Sequence, residues 1–470
     1  MNGSMEAGEL GNGLKELFYP ESIAVVGASR HPGKIGYTIL KNILEYGYEG
    51  RVYPINPKAD EILGLKAYPS VLDVPDKIDM AIIAVPVKIV SRVAVDCGRK
   101  GVKVLVVITS GFGEVGNVDA ERELVEIARE YGMRILGPNI FGLAYTPARL
   151  NATFGPRDIR EGSIAFITQS GALGIALMGW TVMEEIGLSA LVSMGNMIDL
   201  DVVEVSRYLA DDPHTKVITI YLEGLKPGTG PRFMEVMREV TRKKPVIIIK
   251  AGRSKRGMAA VASHTGSLAG ADHVYSAAFR QTGVLRAKTV EEMFDWARAF
   301  ANQPIPRGDR TIIITNGGGV GVLATDAAEE YGVNLITPSI ELKDRLHRVM
   351  PWFGSPRNPV DLTGQAGVEN YVKALEIAFE SPEIDNIVVL YCRTAILDPR
   401  ELAKGLVDTI KLHSGAGKPV VVGMVGGLDT FEAMKMLNKN GIPAYPSPER
   451  AVSALAAMIR YSKYLSKVSK

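Results

Sequence analysis

The stretch SIAFITQSGALG, residues 163–174, reads as a β-branched strand, a small-residue turn and a helix, and its pattern returns as RTIIITNGGGVG at 310–321. A strand that runs straight into a glycine-rich helix start opens a βα unit and predicts a parallel sheet. The repetition continues outward. VITIYLE at 217–223 is matched by IVVLYCR at 387–393, and KPVIIIKAG at 244–252 by KPVVVGMVG at 418–426. Order and approximate spacing hold throughout, which marks a duplicated scaffold. The copies part after the last glycine. The first carries an extra stretch, 253–270, that contains Ser263-His264-Thr265-Gly266, whereas the second goes almost directly into a helix at Thr430. In this alignment Glu223 of the first copy is replaced by Arg393. A duplicated scaffold that differs at a His and a Glu predicts that chemistry was placed in one copy.

Upstream of the repeats, strands are expected at 22–27, 51–55, 79–85, 102–108 and 133–136, again alternating with helical stretches. The whole chain therefore reads as α/β in three units, at 14–150, 160–301 and 308–465. The segment 302–307, with Pro304 and Pro306, serves as a linker. At 470 residues the chain is too long for one core. Its 46% hydrophobic and 23% charged residues are those of an ordinary globular protein, and a net charge of +2 gives no basic face for nucleic acid. No apolar run approaches the roughly 18 residues of a membrane helix. The N-terminus lacks the charged start and apolar core of a signal peptide. The two cysteines, Cys97 and Cys392, lie on unrelated segments. They form neither a disulfide framework nor a metal site, and they suit a cytoplasmic location.

In the first unit, GASRHPGKIG at 27–36 follows a strand and opens a helix. Gly27, Ser29, Gly33 and Lys34 there would let phosphates approach backbone amides at the helix start. The turn is not a clean G-x-G-x-x-G. A dinucleotide site also wants an acid at the end of the second strand, and this chain has Asn56-Pro57-Lys58. Lysine suits a phosphate, as on NADP or on the ribose of CoA. The third strand ends at Val85-Pro86, the fourth at Ser110-Gly111 and the fifth at Gly137-Pro138-Asn139. Ligands bind at the carboxyl ends of parallel strands, so these ends predict a cleft.

His264 gains weight from its setting among small residues and from Glu223, which ends the strand beside the one feeding its loop. A carboxylate there can fix the imidazole tautomer and stabilise its charged form. The remaining histidines, His31, His214, His273, His347 and His413, read as loop or helix-surface residues. The turns at Ser170-Gly171 and Gly318-Gly319 each point a helix start outward, where bare amides and the helix dipole attract anions. Two such starts in matched copies suggest one phosphate gripped from both sides. Neither carries the G-K-[S/T] ending of a P-loop.

Taken together, GASRHPGKIG, NPK, TSGFGE, GPNIFGL, ITQSGALG, VASHTGSLAG and NGGGVG resemble the nucleoside-diphosphate-forming acyl-CoA synthetase superfamily, in family order over nearly the whole chain. The order of units is similar to the alpha subunit of archaeal-type ADP-forming acetyl-CoA synthetases. The resemblance implies a Rossmann-like CoA-binding domain followed by two flavodoxin-like domains of the succinyl-CoA synthetase type. It implies an acid–thiol ligase in which acyl-CoA and phosphate give acyl phosphate and CoA. The phosphoryl group then passes to His264, held by Glu223, and a swinging loop carries it to ADP. The CoA residues would be Gly27, Ser29, Gly33, Lys34, Asn56, Lys58, Val85, Pro86, Ser110, Gly111 and Asn139. Phosphate would lie at Ser170, Gly171, Gly318 and Gly319. The nucleotide and its magnesium are expected on an ATP-grasp beta subunit, in an alpha2beta2 assembly, because no segment is left here for that domain; no metal is expected on this chain. The substrates implied are a small carboxylic acid and its CoA thioester. Two alternatives remain: an NADP-binding Rossmann oxidoreductase, which leaves the duplication and His264 unexplained, and a non-enzymatic CoA-binding regulatory protein, which would not need both His264 and Glu223.

Overall fold

The computed structural model describes residues 13–265 and 271–469, with the backbone alone for 262–265. The chain divides into two compact units that meet in sequence between Arg286 and Ala287.

In the first unit, short β-branched runs form five parallel strands: β1 (Ser22–Val26), β2 (Arg51–Ile55), β3 (Met80–Ile83), β4 (Val104–Val107) and β5 (Arg134–Leu136). Their order is β2-β1-β3-β4-β5. β1, β3 and β4 are buried along their whole length, as expected of a sheet covered by helices on both faces. The strand order reverses between β1 and β3, which opens a crevice at their carboxyl ends. Helix α1 (Ile35–Tyr46) starts there and buries Ile39, Leu40 and Ile43.

A second sheet follows in the same unit. Two strands that the sequence pattern did not announce, β6 (Gly142–Tyr145) and β7 (Leu150–Thr153), pair antiparallel with each other and with the edge of that sheet. Their sequences, GLAY and LNAT, lack the β-branched run that marks the other strands. The rest of the sheet is β8 (Glu161–Thr168), β9 (Leu188–Ser193), β10 (Val217–Leu222), β11 (Val246–Lys250) and β12 (Leu285–Ala287), ordered β12-β11-β10-β8-β9-β6-β7. The two sheets share one core. Ile23, Ile82 and Val104 belong to the same apolar cluster as Leu143, Leu150, Ile167 and Ile220. The Asn42 side-chain amide on α1 donates to the carbonyl of Thr153, 2.8 Å away. Helix α2 (Gly171–Met183) leaves β8, while α3 (Lys255–Thr265) and α4 (Asp272–Thr282) follow β11.

The second unit holds β13 (Arg310–Thr315), β14 (Asn334–Leu335), β15 (Val360–Asp361), β16 (Asn386–Cys392), β17 (Val420–Val425) and β18 (Ala444–Tyr445). The main path runs β14-β13-β16-β17-β18 and repeats β9-β8-β10-β11-β12 strand for strand. Helix α5 (Gly318–Tyr331) answers α2, and α6 (Leu428–Lys439) answers α4. Only Gly426 and Gly427 separate β17 from α6, so α3 is the extra element of the first copy. Helix Val290–Asn302 packs on Pro448–Val468, with Trp296 donating to Ser453 at 3.0 Å and Arg450 paired to Asp295 at 2.6 Å.

The strand registers correct one equivalence. Thr168 lies beside Tyr221 and Thr315 beside Leu390, so the counterpart of Glu223 is Cys392, not Arg393. Matching VITIYLE to IVVLYCR on their tyrosines slips the pairing by one residue, which swaps the faces of the strand. The same registers put Met424 at the place of Lys250.

Candidate functional site

The turn after β1 is built by close approach. Gly27 has φ +91, and a Cβ there would come within 2.3 Å of the Ala84 carbonyl oxygen. A Cβ on Gly36 would lie 2.0 Å from the Gly27 oxygen, so α1 can start against the turn only because both residues are glycine. Gly33 has open space where its side chain would be. Asn56 ties the next strand end to this turn. Its side chain donates to the Ala28 carbonyl at 2.8 Å and accepts the Lys58 amide at 2.8 Å. The result is a cleft of about 960 Å³ lined by Gly27, Ser29, Gly33, Lys34, Asn56, Lys58, Val85 and Pro86. Arg92, on the helix after β3, joins Lys34 and Lys58 there and outnumbers the one acid, Asp96. Arg92 was not legible in the sequence, since it sits in the first turn of a helix and not at a strand end.

Ile35, Ala84, Val85 and Pro86 also line a second cavity of about 670 Å³, which continues to the carboxyl end of β8. Ser110, Asn139, Gln169 and Gly171 face it, together with an apolar wall that includes Phe141, Phe154 and Ile175. None of its lining residues is ionisable. One groove thus has a cationic end and an uncharged end at a helix start. Ser170 caps that helix, accepting the Leu173 amide at 3.4 Å. Gly111 does not line either cavity; its amide donates to the carboxylate of Glu114. Asn139, at φ +62, donates to Asn196, whose amide donates to Glu114 at 2.6 Å and Glu121 at 2.7 Å. Burial pushes the Glu114 carboxyl up, but the bonds from Asn196, Gly111 and Phe112 outweigh it and hold the group below the usual carboxylate range. Glu114 and Asn196 were missed as orienting residues because they meet only in the fold.

Glu223 follows β10 and is 5% exposed. Gln169 clamps the strand end: its side chain accepts the amides of Glu223 and Gly224 and donates to the Gly224 carbonyl at 3.0 Å. Beneath it lies Lys250, 2% exposed, donating to the Glu223 carbonyl at 2.7 Å and to that of Ala251. Its ammonium stands 4.7 Å from the Tyr275 ring centre. The next residue begins the segment that carries His264. The backbone of His264 lies in the last turn of α3, and its side chain lies outside the described residues, as does Gly266. A loop was expected at 253–266. Alanine, at 259, 260 and 262, is the strongest helix former, and Ser254 receives the Gly257 amide at 3.0 Å where the helix begins.

The second copy repeats the clamp without the acid. Asn316 donates to the Cys392 carbonyl at 3.0 Å and accepts its amide at 2.8 Å. Thr168 holds Ser170 as Thr315 holds Gly317. Gly318 and Gly319 are exposed at the start of α5, in the second unit. Among the described residues no cluster of three or more His, Cys, Asp or Glu could hold a metal, and no helix is long and apolar enough to cross a membrane.

Residues 21–146 match a CoA binding domain, 161–300 a succinyl-CoA ligase like flavodoxin domain, and 311–469 a ligase-CoA domain. The chain is 58% identical to the acetate–CoA ligase [ADP-forming] I subunit alpha of Pyrococcus furiosus, over 97% of this chain and 99% of that one. It is 42% identical to the acetate–CoA ligase [ADP-forming] I of Archaeoglobus fulgidus, over 97% of this chain but 64% of that one. Its structure matches the dinucleotide forming acetyl-coenzyme A synthetase 1 of Ca. Korarchaeum cryptofilum in complex with phosphate and ADP. The TM-score is 0.95 and the identity 54%, with 97% of this chain and 98% of the other covered.

Proposed function

The chain belongs to the ADP-forming acetate–CoA ligase family, and on that premise we propose that it is the CoA-binding, phosphohistidine-carrying subunit of an ADP-forming acyl-CoA synthetase. The observation that carries this reading is the single groove of the first unit. Its cationic end, with Lys34, Lys58 and Arg92, suits the phosphates of CoA. Its uncharged end, at Gly171, suits an acyl thioester meeting phosphate at a helix start.

The reaction then runs in three reversible transfers. A phosphate oxygen attacks the thioester carbonyl, the C–S bond breaks, and CoA leaves as thiolate and takes a proton. Ser110 and Asn139 line the cavity where this carbonyl would lie. A neutral imidazole nitrogen of His264 attacks the phosphorus of the acyl phosphate, and the carboxylate departs. Glu223 accepts the other ring N–H and balances the positive charge that develops. ADP on a partner subunit then takes the phosphoryl group from His264 to give ATP. Ser170 and Gly171 are the proposed phosphate ligands, and Gly318 and Gly319 form the matching helix start of the repeat. The 64% coverage of the longer Archaeoglobus relative supports a second, nucleotide-binding subunit, and an alpha2beta2 assembly is the simplest form.

The test is phosphorylation. The assembled enzyme incubated with labelled ATP should carry acid-labile label on this chain, and His264→Ala should abolish it. Label that persists in His264→Ala removes the assignment.

A further inference from the structure

Two kinds of lysine flank matching strands in the repeats, half-buried before the strand and buried at its end, and they are not equivalent. Lys244 donates to the carbonyls of Leu209 and Asp212, and Lys418 does the same for Ala378 and Ser381. That pair stands at matching positions and is a shared structural device. Lys250 has no such twin. Its counterpart is Met424, buried and uncharged, in the copy where Cys392 replaces Glu223. Burying an ammonium costs several kcal/mol unless it is compensated, and Met fills the same place in the sister sheet. The extra lysine occurs only where the acid occurs.

Its surroundings on each packed element point the same way. Lys250 reaches the carbonyl of Glu223 on one strand end and of Ala251 on its own, and it lies over Tyr275 of α4. The Tyr275 hydroxyl accepts the Leu225 amide at 3.2 Å, which fixes the residues after Glu223. Charged groups near it among the described residues are Glu223, Asp272 of α4 and Arg286 of β12, the last two paired to each other. Tyr221 of β10 feels the charge of Glu223 from the strand itself. Burial lowers the affinity of Lys250 for its proton, and Asp272 and Glu223 oppose that while Arg286 adds to it.

We propose that Lys250 is a positioning residue for phosphoryl transfer, joining the strand end at Glu223 to the root of the His264-bearing segment and keeping Glu223 ionised. This rests on the reading of Glu223 as the partner of His264. Removing a nearby cation disfavours the carboxylate, so the pKa of Glu223 rises and the acid limb of activity moves to higher pH.

The experiment uses the assembled enzyme making ATP from acetyl-CoA, ADP and phosphate. Lys250→Met, the sister copy's own residue, should keep the CoA affinity and the KM for ADP and lower kcat at least about tenfold. The acid limb of its kcat profile should rise by on the order of one pH unit. An unchanged kcat and profile overturns the proposal, and so does a fall in kcat with an unmoved acid limb, which is what a mere strut would give. If Lys250→Met does not fold, Lys250→Gln removes the charge while keeping a donor and is judged by the same two readouts. Glu223→Gln, assayed alongside, separates the layers. Full activity in Glu223→Gln defeats the underlying reading; inactivity there with an unmoved Lys250→Met profile defeats only the role of Lys250.

Discussion

Lys58 is exposed, yet its place is fixed by the Asn56 side chain, which holds both its amide and the glycine turn after β1. A charge carried on a backbone fixed in this way can select one phosphate among several. Lys58→Glu should weaken CoA roughly tenfold and dephospho-CoA far less, because only CoA offers the ribose phosphate that becomes repelled. Titration calorimetry of both ligands checks this, and equal losses would remove Lys58 from the site. Residues of this type were legible in the sequence because they sit at strand ends next to glycines. Arg92, Lys250, Glu114 and Asn196 were not. Arg92 enters the cleft from the first turn of a helix, and Lys250 looks like the last residue of an apolar strand until the fold shows what it meets.

Helix α2 shows what one element asks of its neighbours. Gly174 lets the Phe141 ring lie on its first turn, where a Cβ would fall 2.4 Å from that ring and 2.9 Å from the Thr168 methyl. Gly174→Ala gains about 1 kcal/mol of helix propensity but forces an overpacking cost of about 1–3 kcal/mol. The ring also lines the uncharged cavity. The expected outcome is a Tm lower by a few degrees and a raised KM for phosphate, with CoA binding in the cationic cleft retained. A variant as stable and as active as the wild type would show that the helix start tolerates displacement. The β8–α2 and β13–α5 units were legible from their strand–glycine–helix order. β6 and β7 were hidden by their lack of a β-branched run. α3 was misread because alanine and serine suit both a loop and a helix, and Ser254 at its start decides for the helix.

Over the whole molecule, the duplication was legible down to strand order, but not the register. Two tyrosines, Tyr221 and Tyr391, attracted an alignment that the ladder moves by one residue, so Glu223 faces Cys392 and not Arg393 in the comparison of copies. The corrected comparison leaves the acid, the buried lysine and the histidine segment together in the first copy alone, and the second copy as scaffold with an exposed glycine helix start. CoA-binding, succinyl-CoA ligase like and ligase-CoA domains account for residues 21–469 apart from short connections. The phosphohistidine proposed at His264 needs an acceptor, and the descriptions of the three domains name CoA and its ligase but no nucleotide. The central claim is therefore that this chain performs half of a reaction completed on a partner. The most direct measurement is ATP formation from acetyl-CoA, ADP and phosphate by the purified chain, with and without an added ATP-grasp subunit. Turnover only with the added subunit, lost in His264→Ala, is the predicted result; robust ATP formation by this chain alone would contradict it.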